Sequence, residues 1–126
     1  MPFYHAQVRP NLMNEARRQE FSRHVVDVHC DVTNAPPSFV HALVTESDDL
    51  PSGQNAVING TIRGGRTDDQ KAEIATRLSA ALADVAGIDA SSVTTMTQDI
   101  GASYTMEGGV LLPEPGSAEE RAWVSP

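Results

Sequence analysis

The chain has 126 residues, 40% hydrophobic by type, 21% charged and 5% aromatic, a size that predicts one domain over residues 1–126 with a core of its own. Nine Lys and Arg against 17 Asp and Glu give a net charge of −8, which repels phosphate backbones and anionic bilayers and argues against nucleic-acid or membrane partners. The single cysteine, Cys30, excludes an intramolecular disulfide framework, and no run of about 18 apolar residues is available to cross a bilayer.

In chain order, Met1-Pro2-Phe3-Tyr4-His5 lacks the basic and apolar regions of a signal peptide, so a cytoplasmic location is expected. Phe3 to Val8 alternates like a strand. A helix should begin near Asn14, a good N-cap residue. Phe21, Val25, Val28 and Val32 form its apolar stripe, and Asn34-Ala35-Pro36-Pro37 ends it, because proline cannot continue a helix. A β-branched run, Phe39 to Thr45, reads as a second strand. Ser47-Asp48-Asp49-Leu50-Pro51-Ser52-Gly53 is a polar, turn-rich joint dividing the chain into approximate halves, 1–50 and 51–126.

The second half repeats the order. Val57 to Ile62 alternates, and Thr67-Asp68-Asp69-Gln70 is a capping-box pattern with acidic residues where the helix dipole favours them. Ile74, Leu78, Leu82 and Val85 supply the stripe, Gly87 is a left-handed stop, and Val93 to Thr97 is the next strand. The tail after Leu112 should be irregular, with Trp123 pinning it down. The halves register at an offset of about 54 in order of elements rather than identity. The fold class expected is α/β (α+β): two fused β-α-β units, a four-stranded mixed sheet, and two helices on one face. Apolar residues occur on both alternating sets of the strands, Phe3, Phe39 and Leu43 among them, so a second subunit should cover the other face and the chain should be a homo-oligomer.

Several sites are absent: there is no GxSxG elbow, no GxxxxGK[ST] phosphate loop and no HExxH zinc helix. His24 and His29 fall on different faces of a helix, so no metal or cofactor is expected. Cys30 reads as a small buried hydrophobe. Two features remain. Removal of Met1 would leave Pro2 with a free secondary amine, and an apolar pocket near cations would lower its pKa until it serves as a general base. In Thr61-Ile62-Arg63-Gly64-Gly65-Arg66-Thr67, two guanidinium groups and a helix start converge, which suits a carboxylate. The bland alternatives are an ordinary Met-Pro start and a solvated basic turn.

With these residues in view, the sequence resembles the tautomerase superfamily, and within it the cis-3-chloroacrylic acid dehalogenase-like group. The resemblance rests on Pro2 behind Met1, Val26-Asp27-Val28-His29, Thr61 to Thr67 with Gln70-Lys71, and Glu107-Gly108-Gly109-Val110-Leu111-Leu112-Pro113-Glu114-Pro115-Gly116. The turn from Gly65 to Lys71 is also similar to that of 4-oxalocrotonate tautomerase. The resemblance implies two opening strands running antiparallel, so that Pro2 lies beside Arg63 and Arg66, and assembly as a trimer. It implies one site per chain, because the place matching Pro2 in the second half is near Ala56.

It further implies that Pro2 is the catalytic proline, that Arg63 and Arg66 bind a carboxylate with His29 helping, and that Glu107 activates water. The implied activity is cofactor-independent proton transfer on a small 2-oxo or α,β-unsaturated carboxylic acid, with hydration or dehalogenation as variants. Two departures stand out: Met96 occupies the place of a tyrosine that assists the glutamate, leaving Tyr104 as a possible substitute, and the joint loop is shorter than in that group. The alternative is a non-catalytic ferredoxin-like anion-binding module, which has the same order of elements.

Overall fold

The computed structural model of the chain describes residues 2–113 and 117–119. Met1, the Glu114-Pro115-Gly116 stretch and Trp123, with the anchoring expected of it, lie outside the described residues.

Strand β1 (Phe3–Val8) buries Tyr4, Ala6 and Val8 and turns Phe3, His5 and Gln7 to the opposite face. Helix α1 (Glu15–Thr33) starts where the Asn14 side chain accepts from the Arg17 N–H at 2.9 Å, satisfying one of the free donors of the first turn. It stops at Asn34, which adopts a left-handed conformation at φ 60°. Pro37 then opens a short 3-10 turn over Pro37–Phe39, since its fixed φ favours a helical turn. Strand β2 (His41–Glu46) therefore begins two residues later than expected, and Phe39 lies in the turn.

Strand β3 (Ala56–Arg63) opens the second half. In helix α2 (Asp68–Ala86), both halves of the capping box form: the Thr67 hydroxyl accepts from the Gln70 N–H at 3.1 Å, and the Gln70 side chain accepts from the Thr67 N–H at 2.9 Å. Gly87 closes it at φ 71°. Strand β4 (Val93–Ile100) runs three residues past the expected end, because it follows β3 in register as far as Arg63 opposite Ile100.

The strand order is β2-β1-β3-β4. Strands β1 and β2 are parallel, as are β3 and β4, and the central β1–β3 pair is antiparallel. One core cluster joins Phe21, Val25 and Val28 of α1 to Ile74, Leu78 and Leu82 of α2 over Ala6, Ile58 and Ile62 of the sheet. The sheet is thus mixed, with both helices on one face. The other face carries Phe3 and Leu43, two of the exposed apolar residues expected there, with Met96 and the polar His5, Gln7, Asn59, Thr94 and Gln98. Ala42 and Val44 point to the helices, as the alternation requires, and Phe39 alone of the expected apolar residues leaves the strand, for the 3-10 turn.

One element was not anticipated. Strands β5 (Met106–Glu107) and β6 (Val110–Leu111) form an antiparallel hairpin. Gly108 and Gly109 both take positive φ, 58° and 79°, as a two-residue hairpin turn requires.

Candidate active site

The antiparallel pairing of β1 with β3 sets Phe3 opposite Thr61. Pro2, one residue before β1, is buried, and its carbonyl accepts from the His41 N–H at 3.0 Å. Pro2 therefore lies at the end of the sheet where β3 terminates in Arg63. Beyond Arg63 the chain turns through Gly64 and Gly65, with Gly65 at φ 99°, a conformation that favours glycine. The Gly64 N–H donates to the Ile100 carbonyl at 2.9 Å, so the turn stays pinned to the end of β4. Arg66 follows just ahead of the Thr67 cap.

Arg63 is 7% exposed, and its Nη1 donates to the Pro113 carbonyl at 2.9 Å. That bond ties the segment behind the β5–β6 hairpin to the end of β3. Arg66 is half-buried. Gln70 links the turn to the first half, because its amide donates to the Val32 carbonyl at 3.2 Å near the end of α1.

His29 sits on α1, one turn before that end, and is only 2% exposed. Its Nδ1 lies 2.7 Å from the Tyr4 hydroxyl, and the two rings meet edge to face with centroids 5.6 Å apart. Its Nε2 is buried and has no hydrogen-bond partner among the described residues. Burial, and then nearby positive charge that includes Arg66 and Arg63, push the imidazole pKa down to about 4. Burial drives the Tyr4 phenol well above its ordinary range, with Arg66 pulling weakly the other way. The Tyr4–His29 pair and the two arginines therefore lie within one electrostatic neighbourhood, although they come from opposite halves of the chain.

The remaining expected residues are placed differently. Glu107 is exposed at the hairpin turn. Tyr104 is 83% exposed in a 3-10 turn spanning Ala102–Tyr104. Met96 lies on the sheet face away from the helices, paired with Asn59. Among the described residues no cluster of His, Cys, Asp or Glu could hold a metal. Cys30 is only partly buried, packed against the core, with its thiol pKa raised by burial.

In the sequence, Tyr4 reads merely as a strand residue. Its signal was a hydroxyl on the inward-facing set beside Ala6 and Val8, since a buried tyrosine hydroxyl demands a partner. Gly60 also escaped notice: a Cβ there would lie 2.5 Å from Tyr4 Cε1, so the glycine makes room for the ring.

The profile described as "Tautomerase enzyme" matches residues 57–119, half of the chain. No curated protein matches the sequence. Among solved structures, N1, a member of the cis-3-chloroacrylic acid dehalogenase family, superposes with a TM-score of 0.84 at 28% identity, covering 96% of this chain and 89% of its own. Native Ps01740 is 32% identical, with a TM-score of 0.77 over 83% of this chain and 99% of its own. A fused 4-OT solved as a symmetric trimer shares the fold at 20% identity and TM-score 0.78, covering 87% and 94%. The doubled β-α-β sheet, the matching profile and these relatives agree, and the chain belongs to the tautomerase superfamily.

Proposed function

We propose that the chain is a cofactor-independent tautomerase in which Pro2, freed by removal of Met1, moves a proton between oxygen and carbon of a small 2-oxo or α,β-unsaturated carboxylic acid. Arg63, Arg66 and His29 hold the carboxylate and stabilise the enolate that forms as the proton leaves carbon. The observation that carries this reading is the convergence of Pro2, two arginines and a buried histidine nitrogen without a partner at one end of the sheet. A protein of net charge −8 needs such a local cationic pocket to take an anion.

Pro2 occupies a buried position. A secondary amine there loses hydration and feels the arginines, and both effects favour the neutral, basic form. That favours tautomerisation over hydration, which would need a cationic Pro2 to protonate carbon while Glu107 activates water. Exposure of Glu107 in the single chain points the same way, and Met96 cannot donate a hydrogen bond to it. The exposed Phe3, Leu43 and Met96 on the open sheet face fit burial in a homotrimer like the one described for the fused 4-OT.

Ketonisation of phenylenolpyruvate and of 2-hydroxymuconate, followed by ultraviolet absorbance, tests the reading beside intact-mass measurement. Loss of Met1, turnover by the wild type, and its abolition in a folded Pro2→Ala variant are expected. Full activity in Pro2→Ala overturns the proline mechanism, and retention of Met1 without turnover overturns the enzyme reading and leaves a non-catalytic anion-binding module.

A further inference from the structure

We infer that Tyr4 is a positioning residue, holding His29 as the tautomer that carries its proton on Nε2 and presenting that N–H to an oxygen of the bound anion. The inference rests on the reading above for the ligand's class, though not on Pro2 chemistry.

The first step is a count of donors. A neutral imidazole has one N–H and one acceptor nitrogen, and a phenol has one O–H. Were Nδ1 protonated, it would donate to the Tyr4 oxygen. The phenol proton and the Nε2 lone pair would then both lack partners in a buried place. With the phenol donating to Nδ1 across 2.7 Å, only the Nε2–H is left over. Leaving fewer buried polar groups unmet selects the second arrangement. The environment agrees, because burial keeps the phenol protonated and the imidazole neutral. The leftover group is a donor, close to two arginines that draw in an anion, so the missing partner is an acceptor oxygen.

The second step is a comparison within the chain. The helix caps match Asn14 with Thr67 and Asn34 with Gly87, which puts Leu82 in the place of His29. On the helix-facing side of the sheet, Ile58 stands where Tyr4 does. Both Ile58 and Leu82 are fully buried. The same architecture is thus filled by two hydrophobes in one half and by a hydrogen-bonded Tyr–His pair in the other, so packing alone does not call for the pair. Gly60 completes the arrangement by leaving space for the Tyr4 ring.

The test is 15N NMR of histidine-labelled protein at neutral pH, in wild type, Tyr4→Phe and Pro2→Ala, with pyruvate as the probe. Wild-type His29 should show a single Nε2–H tautomer, and its Nε2 signal should move on titration with pyruvate but not with equal chloride. Pro2→Ala should respond in the same way, which separates this inference from the proline mechanism. Tyr4→Phe should give a mixture of tautomers and lower kcat/KM for phenylenolpyruvate about tenfold, the value of one hydrogen bond. An Nδ1–H tautomer in wild type overturns the inference even if Tyr4→Phe fails to fold. So does an Nε2 signal indifferent to pyruvate, or a folded Tyr4→Phe with an unchanged tautomer.

Discussion

Gly60→Ala should destabilise the protein by an amount that the geometry of Tyr4 sets. The added Cβ would stand 2.5 Å from Tyr4 Cε1 and 2.7 Å from Cδ1. Tyr4 is 1% exposed and held at both ends, by its strand and by His29, so its ring cannot swing aside freely. Overpacking of this kind costs about 1–3 kcal/mol. Displacing the ring also breaks the bond to buried Nδ1, which adds about 1–3 kcal/mol for the unmet group. The expected loss is roughly 2–6 kcal/mol, measured by urea denaturation under circular dichroism, with Tm falling by at least about 6 °C. Repeating the change in a Tyr4→Val background should reverse its sign. The three nearest atoms to the new Cβ all belong to the tyrosine ring, and without them alanine is better than glycine within a strand by about 0.5–1 kcal/mol. A Gly60→Ala protein within about 0.5 kcal/mol of wild type, or a penalty undiminished in the Tyr4→Val background, would refute the close approach.

Stability should also rise between pH 4 and pH 6.5 through His29. Its folded pKa of about 4 lies below the 6.5 of the unfolded chain, so the unfolded state binds more protons in that window and gains as pH falls. The contribution lost by pH 4 and below approaches about 3 kcal/mol, and His29→Gln should flatten this part of a urea-derived stability profile. Thr67→Ala removes one arm of the capping box and should cost about 1 kcal/mol in the same denaturation assay.

The elements were largely legible because their local signals agree with their packing. The Asn14 and Thr67 caps, the two helical stripes and the Gly87 stop all stand where the sequence places them. The β5–β6 hairpin carried a readable signal too, paired glycines between short apolar-containing runs, but the elements are too short to declare themselves by periodicity. Pro2, Arg63, Arg66 and His29 were nameable from motif resemblance, and the pairing of β1 with β3 sets Pro2 at the end of the sheet where β3 terminates in Arg63. Tyr4 and Gly60 were not, because their importance lies in a contact across two strands and one helix. No spacing along the chain encodes such a contact.

The central pairing of β1 with β3 carries a consequence for how the protein comes into being. Tyr4 and His29 belong to the first half, and Arg63 and Arg66 to the second, so neither half alone contains the anion pocket proposed above. Strand β1 can zip to β2 early, but its other neighbour begins at Ala56, after the whole first β-α-β unit. With β1 and β2 paired, Glu46 lies opposite Val8, and only the 47–55 joint separates it from Ala56 on the other side of the same residue, so a short closure unites the halves. The proposed anion pocket is therefore complete only once the halves join, and a refolding experiment watched through pyruvate binding would time that union rather than the formation of either.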